Sequence, residues 1–303
     1  MNNFLDNNFE LHNWMAATPA IDDLSLTEMT LPGAHNAGCD REASYAVPLA
    51  ETWIACQDVP IYAQLNRGAR ALDLRLGYYA KADDMKKFQF QHSGYLSSRH
   101  LGDLVIEIES FLERSRDEFI ILDFHELNKG SDEFDYQLFN DTLLKKLGDR
   151  IIPVENRHLA LHELKAASPL QRLLVAAPYH HQLDRRYFCD RIPHSWINKE
   201  MVSVDDLYQY IKSVMKAPPG GRPWSLSATC YGIIGPLRIL DELDNWFDPD
   251  KTEWAQRCSI INFDFIKNSR IVSFCRTANL AKARRKNLIT PVIQSAVEAA
   301  HWC

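Results

Sequence analysis

The chain has 303 residues, 46% apolar and 24% charged, which is enough apolar material for a large core and too balanced a charge for a disordered protein. A formal net charge of −6, from 34 basic and 40 acidic side chains, argues against nucleic acid as a partner. Seven widely spaced cysteines without a Cys-x-x-Cys pair give no support to zinc-ribbon or redox motifs and suit reduced thiols.

From the N-terminus, Met1-Asn2-Asn3-Phe4-Leu5-Asp6 lacks the basic and apolar regions of a signal peptide. No apolar run approaches the ~18–20 residues that span a bilayer. The final His301-Trp302-Cys303 is not a prenylation box. Membrane contact is therefore expected to be peripheral, on a soluble monomer. Residues 1–24 read as an N-terminal extension and 25–303 as one catalytic domain.

Short β-rich runs then alternate with helical patterns. Strands are expected over 28–31, 69–76, 87–92, 118–124, 172–177, 225–229 and 259–265. Phe119-Ile120-Ile121-Leu122 is apolar throughout, as in a strand covered on both faces. Leu101, Leu104, Val105, Ile108, Phe111 and Leu112 share one helical stripe. Leu207, Tyr208, Ile211, Val214 and Met215 share another, with Ser203 as its N-cap. The alternation implies βαβ units in an α/β fold. A distorted (β/α)8 TIM-like barrel, as a single domain, is favoured over an open doubly wound sheet. The breaker cluster Ala217-Pro218-Pro219-Gly220-Gly221-Arg222-Pro223 and the turn Asp248-Pro249-Asp250 mark exposed connections. The basic run Lys282-Ala283-Arg284-Arg285-Lys286 reads as a solvated helix face or a helix C-terminus.

A barrel gathers catalytic groups at the C-terminal ends of its strands. Polar residues close several apolar runs here: His35-Asn36 after Leu31-Pro32-Gly33-Ala34, Asp73 and Arg75 at the two-residue strand period, and His92 after Phe90-Gln91. Asp123-Phe124-His125-Glu126 and Asn262-Phe263-Asp264 follow the same rule. A lone strand-end histidine is more often structural, and an Asp–Arg pair two apart is more often an ion pair. Two histidines, an arginine and two aspartates on one rim are together what intramolecular phosphodiester cleavage needs.

The order and spacing of these segments, together with Gln64-Leu65-Asn66-Arg67-Gly68-Ala69-Arg70, Gln91-His92-Ser93-Gly94 and Glu118-Phe119-Ile120-Ile121-Leu122-Asp123, resemble the phosphatidylinositol-specific phospholipase C X domain over residues 25 to 270. The resemblance implies attack of the inositol 2-hydroxyl on phosphorus, releasing diacylglycerol and an inositol cyclic phosphate. His35 resembles the general base, Asp264 its orienting carboxylate, His92 the general acid, Arg75 the phosphate-stabilising group and Asp73 its neighbour. Asn36 departs from the bacterial pattern, where Asp follows the first histidine; in animal enzymes an Asn there binds calcium.

Arg75 stands where those enzymes place a calcium ligand, so the expectation is no metal cofactor, with calcium as the alternative. Asp123, His125, Tyr179 and Tyr231 are the expected substrate-binding residues, although the inositol-contacting positions match poorly. The expected partners are a phospholipid surface and the phosphatidylinositol headgroup. Trp53, Trp246 and Phe247 are candidate docking residues near the rim. The alternatives are action on a different phosphodiester, a catalytically silent binding module, and a metal-dependent lipid phosphodiesterase using Asp73, Asp123, Glu126 and Asp264.

Overall fold

In a computed structural model, residues 10–47, 50–220 and 223–300 are described, apart from the side chains of 50 and 290–300. Cys303, residues 1–9 of the expected extension, and Gly221 and Arg222 of the breaker loop lie outside the described residues.

The strand period explains the architecture. In β2 (Ala71–Tyr78), Leu72, Leu74 and Leu76 enter one core, while Ala71 enters a second and Asp73 and Arg75 continue its face. Strand β5 (Ile120–Lys129) repeats the pattern, with Ile120, Leu122 and Phe124 in the first core and Ile121 in the second. The first core holds the apolar stripes of helices α3 (Leu101–Arg114), α4 (Tyr136–Leu147) and α6 (Val204–Lys216). The second fills the barrel interior below the polar residues. Both expected helical stripes are present, and Ser203 Oγ accepts from Asp206 N as the expected cap.

The remaining barrel strands are β1 (Leu31–Ala34), β6 (Leu173–Ala177), β7 (Phe188–Asp190), β8 (His194–Ser195), β9 (Ser225–Ser227) and β12 (Ile260–Phe263). They lie side by side as β7-β6-β5-β2-β1-β12-β9-β8, all parallel. β7 and β8 are successive pieces of one segment and occupy opposite edges of the curled sheet. The barrel thus has a seam there without strand hydrogen bonds, a distorted TIM-like form.

Two strand expectations need correction. β1 begins at Leu31 rather than ending there. Gly33 is required inside the strand, because a Cβ would lie 2.7 Å from Ile260 Cγ2. The 87–92 run is not a parallel barrel strand. As β3 (Phe88–His92) it pairs antiparallel with β2, which overshoots the rim; β3 therefore returns from above and ends with His92 near the level of Leu74. β4 (Tyr95–His100) completes that excursion, and β10 (Tyr231–Gly232) with β11 (Gly235–Pro236) forms a separate hairpin. The shortest of these strands lack enough residues for an alternation to be visible.

The shorter helices are α1 (Ala50–Ile54), α2 (Ile61–Asn66), α5 (Leu161–Ala167), α7 (Leu240–Trp246) and α8 (Trp254–Arg257). In the closing helix α9 (Ile271–Ala300), the basic run is not simply solvated. Lys282 Nζ donates to the Glu28 and Cys258 carbonyls, and burial pushes its pKa down to about 8.

Residues 10–24 seal the strand-start end of the barrel, with Trp14, Met15, Ile21 and Leu24 in the second core. Their anchor is a wholly buried ion pair. Arg70 Nε donates to Glu118 Oε2 at 2.7 Å and its other nitrogens reach the carbonyls of Leu65, Ala69 and His12, while Glu118 accepts from Met15 N and Ala16 N. Removing one partner strands a buried charge. Arg70→Met should cost about 3–5 kcal/mol in denaturant unfolding, and adding Glu118→Leu should recover part of that loss.

Candidate active site

His35 follows β1 and Asp264 follows β12, its neighbour in the sheet. His35 Nδ1 lies 2.8 Å from Asp264 Oδ1, which fixes the Nδ1–H tautomer and leaves Nε2 as an acceptor. Arg75 fills that acceptor, with Nη2 3.1 Å from His35 Nε2. The same guanidinium grips Asp73 through two hydrogen bonds of 3.0 and 2.9 Å, and Asn262 Nδ2 donates to Asp73 Oδ2 at 3.2 Å. Burial alone would raise the Asp73 pKa, but the charge and hydrogen bonds of Arg75 hold it well below the usual range. Burial acts on Asp264 too, and there it prevails over His35, so its pKa is raised.

A bulge brings a further carboxylate to Arg75. The β2–β5 register steps from Leu74↔Phe124 to Arg75↔Glu126, skipping His125. Strict alternation would turn Glu126 away from the pocket. The extra residue lets it reach Arg75 Nη1 at 3.2 Å.

His92 stands opposite, its ring centroid 6.0 Å from that of His35. Its Nδ1 donates to the Ile54 carbonyl, at the end of α1, at 2.9 Å, and lies 3.5 Å from Cys56 Sγ. Burial, then the neighbouring His35 and Arg75, outweigh that carbonyl and push His92 down to about 4. Tyr231, from the β10–β11 hairpin, sits edge-on to both imidazoles, with its hydroxyl 3.3 Å from Cys56 Sγ. Gln57 holds the loops together: Nε2 donates to the His35 and Phe263 carbonyls, and Oε1 accepts from Ile266 N.

Asn36, beside His35, is buried, and both polar atoms of its amide lack hydrogen-bond partners. Asp123 and His125 lie on the adjoining wall, where the His125 ring stacks on His194 at 3.9 Å. Tyr179 is not brought to this cluster: it is 72% exposed and carries Arg185 over its ring. Its strand-end position failed because the chain leaves β6 outward, into a solvent-facing loop. The sequence gives no signal for Cys56, which follows no apolar strand, and little for His194, on a two-residue strand. A cavity of about 700 Å³ opens at the other end of the barrel, among Thr27, Glu28, Trp224 and Ser259, away from the histidines.

The low pKa of His92 has a consequence for stability. Unfolded, His92 would titrate near 6.5; folded, it stays neutral down to about 4. Below pH 6.5 the unfolded chain therefore takes up a proton that the folded chain refuses, and stability falls with pH. Between pH 7 and 5 the wild type should lose about 2 kcal/mol relative to His92→Asn, measured by denaturant unfolding at both values.

No protein-family model matches the chain. It is 23% identical over 290 residues to the PI-PLC X domain-containing protein 2 of Mus musculus, covering 84% of this chain and 83% of that protein. It is 26% identical over 162 residues to the variant-surface-glycoprotein phospholipase C of Trypanosoma cruzi, covering 45% of this chain and 41% of that one. Among solved structures, a phosphatidylinositol-specific phospholipase C of Staphylococcus aureus superposes with TM-score 0.69 at 14% identity, over 89% of this chain and 98% of the other. The corresponding protein of Listeria monocytogenes gives 0.66 at 14% identity, over 89% and 99%. At such identities the structural likeness establishes the fold.

Proposed function

We propose that this relative of the phosphatidylinositol-specific phospholipase C X-domain proteins is itself a phosphodiesterase that cleaves phosphatidylinositol-type lipids to diacylglycerol and an inositol cyclic phosphate. The observation that carries the reading is the chain Asp264–His35–Arg75–Asp73 facing His92 across 6.0 Å. A substrate phosphate draws the Arg75 fork from His35 Nε2, which then takes the proton of the inositol 2-hydroxyl as its oxygen attacks phosphorus. Asp264 stabilises the resulting imidazolium. His92 protonates the departing glycerol oxygen. The anionic phosphate beside it favours that proton, offsetting the burial that disfavours it. Asn36 Nδ2 is available to a phosphoryl oxygen, and Tyr231 packs against both imidazoles. Asp123 and His125 border the headgroup.

Arg75 supplies the positive charge that calcium would otherwise bring, and its fork fits two phosphoryl oxygens. The reaction should therefore proceed without calcium. The assay is release of water-soluble inositol phosphate from phosphatidylinositol vesicles. His35→Ala and His92→Ala, each still folded, should lower kcat by at least ~10²–10⁴-fold, and the wild type should keep its rate in EGTA. Near-normal turnover by either variant removes the mechanism. Loss in EGTA restored by calcium makes Asn36 a metal ligand instead.

Among the described residues no helix is long and apolar enough to cross a membrane, so the lipid must be met at a surface. Trp246 cannot help: it is 8% exposed and packs on Tyr208, and Phe247 is wholly buried. Trp53 on α1 is 61% exposed, and Ile233 and Ile234 at the β10–β11 tip are 87% and 62% exposed. Helix and hairpin touch, since a Cβ on Gly235 would lie 2.6 Å from Trp53 Cα. Both also hold the pocket, through Ile54 and Tyr231. Trp53→Ala with Ile233→Ser should weaken sedimentation with phosphatidylinositol vesicles by about tenfold or more, with cleavage of a soluble substrate unaffected; equal vesicle binding removes this face from the docking surface.

A further inference from the structure

The pocket wall carries a second group of side chains that the acid–base chemistry does not use. Asp123 and His125 come from β5 and its bulge, and His194 from β8 across the seam. One donor atom from each lies within 4.8 Å of the others. Asp123 is 3% exposed, and its Oδ1 accepts no hydrogen bond. His125 Nδ1 is buried without a hydrogen-bond partner, although it lies 3.4 Å from Asp123 Oδ2. The two imidazoles stack at 3.9 Å with an interplanar angle of 21°. Asp123 thus keeps one buried oxygen without a partner, and its other oxygen meets the His125 ring only at the long distance of 3.4 Å.

The donor chemistry narrows what could bind there. His194 lies on the short strand β8 with its ring stacked on that of His125, so both imidazoles face the same space as the Asp123 carboxylate. One carboxylate and two imidazoles are the donors of a zinc-type centre, whereas calcium takes six to eight oxygens. We propose that Asp123, His125 and His194 bind a divalent transition ion of the zinc class on the headgroup wall of the pocket. Donor atoms around tetrahedral zinc sit about 3.3 Å apart, so these need to close by roughly 1.5 Å at most. Rotation of the two half-buried rings can supply that movement. Asp123 is in register with Asp73 on the neighbouring strand, so the fourth ligand position borders the pocket around His35 and Arg75. A water or a headgroup hydroxyl can occupy it.

A second set of possible donors, His35, Cys56 and Asp264, lies nearby. It is the weaker candidate, because the His35 nitrogens are already engaged by Asp264 and Arg75 and burial keeps the Cys56 thiol protonated.

The proposal concerns metal binding and does not depend on turnover. The test is equilibrium dialysis of the full chain, stripped with chelator, against zinc chloride, with cobalt(II) absorption as a second readout. One zinc per chain should bind at micromolar concentration, and calcium should not compete. His194→Asn and Asp123→Ala, checked for folding by circular dichroism, should each lower the affinity at least about 100-fold, while Cys56→Ser leaves it unchanged. The cobalt spectrum should lack a thiolate charge-transfer band. No stoichiometric zinc at ten times micromolar would overturn the proposal. So would affinity that survives His194→Asn but fails in Cys56→Ser.

Discussion

A guanidinium enclosed in a barrel mouth must be neutralised, and the arrangement of this pocket follows from that requirement. Arg75 is charged at every working pH and only its edge meets solvent. Asp73, two residues earlier on the same strand face, supplies the first counter-charge, and Asn262 fixes the carboxylate from below. One carboxylate cannot occupy five N–H donors. The bulge in β5 delivers Glu126 to a third nitrogen, and His35 Nε2 takes the second hydrogen of Nη2. The guanidinium thereby selects the tautomer of His35 together with Asp264. An anion entering the site competes with acceptors already in place, so the pocket holds its charge preorganised instead of assembling it on binding.

The same economy appears in the backbone. Each of three rim residues is followed directly by a non-glycine residue in the left-handed region: Asn36 at φ 41° after His35, Ser93 at 51° after His92, and Phe265 at 59° after Asp264. Asn tolerates this conformation; a phenylalanine there is strained and must be held. Phe265 is held by the hydrogen bond its N–H donates to the Cys56 carbonyl and by Arg41 and Arg238 over its ring at 4.8 and 4.4 Å. A left-handed residue turns the chain sharply as it leaves a strand. The preceding side chain is thus left pointing across the rim while the backbone departs sideways.

Much of this was legible because strands write their faces at period two. Asp73 and Arg75 among leucines, and Asp123 and Asp264 closing apolar runs, mark a polar rim above an apolar interior. The rim residues His35, Arg75, His92, Asp73 and Asp264 do converge. Legibility failed where period two breaks. The bulge at His125 changes which side Glu126 faces, and no composition signals it. Tyr179 was assigned by strand-end position alone, and the loop carried it outward. Trp246 looked like an interfacial residue, yet α7 turns it into the core. Cys56 and His194 owe their place to loops and the seam, where contacts are long-range and leave no local pattern.

His92 shows how these irregular parts depend on one another. It lacks a carboxylate partner; its orientation comes from the Ile54 carbonyl, the last residue of a five-residue helix. A neutral carbonyl fixes the ring but favours its protonation less than burial, His35 and Arg75 oppose it, so the His92 pKa stays low. Trp53, on the same helix, points to solvent beside the isoleucines of the hairpin that carries Tyr231. A single displacement of α1 would move an exposed indole and the acceptor of His92 together. The outer apolar face and the inner imidazole are therefore not separate devices: helix and hairpin form one wall, apolar on its outer side and hydrogen-bonding on the side that faces the pocket.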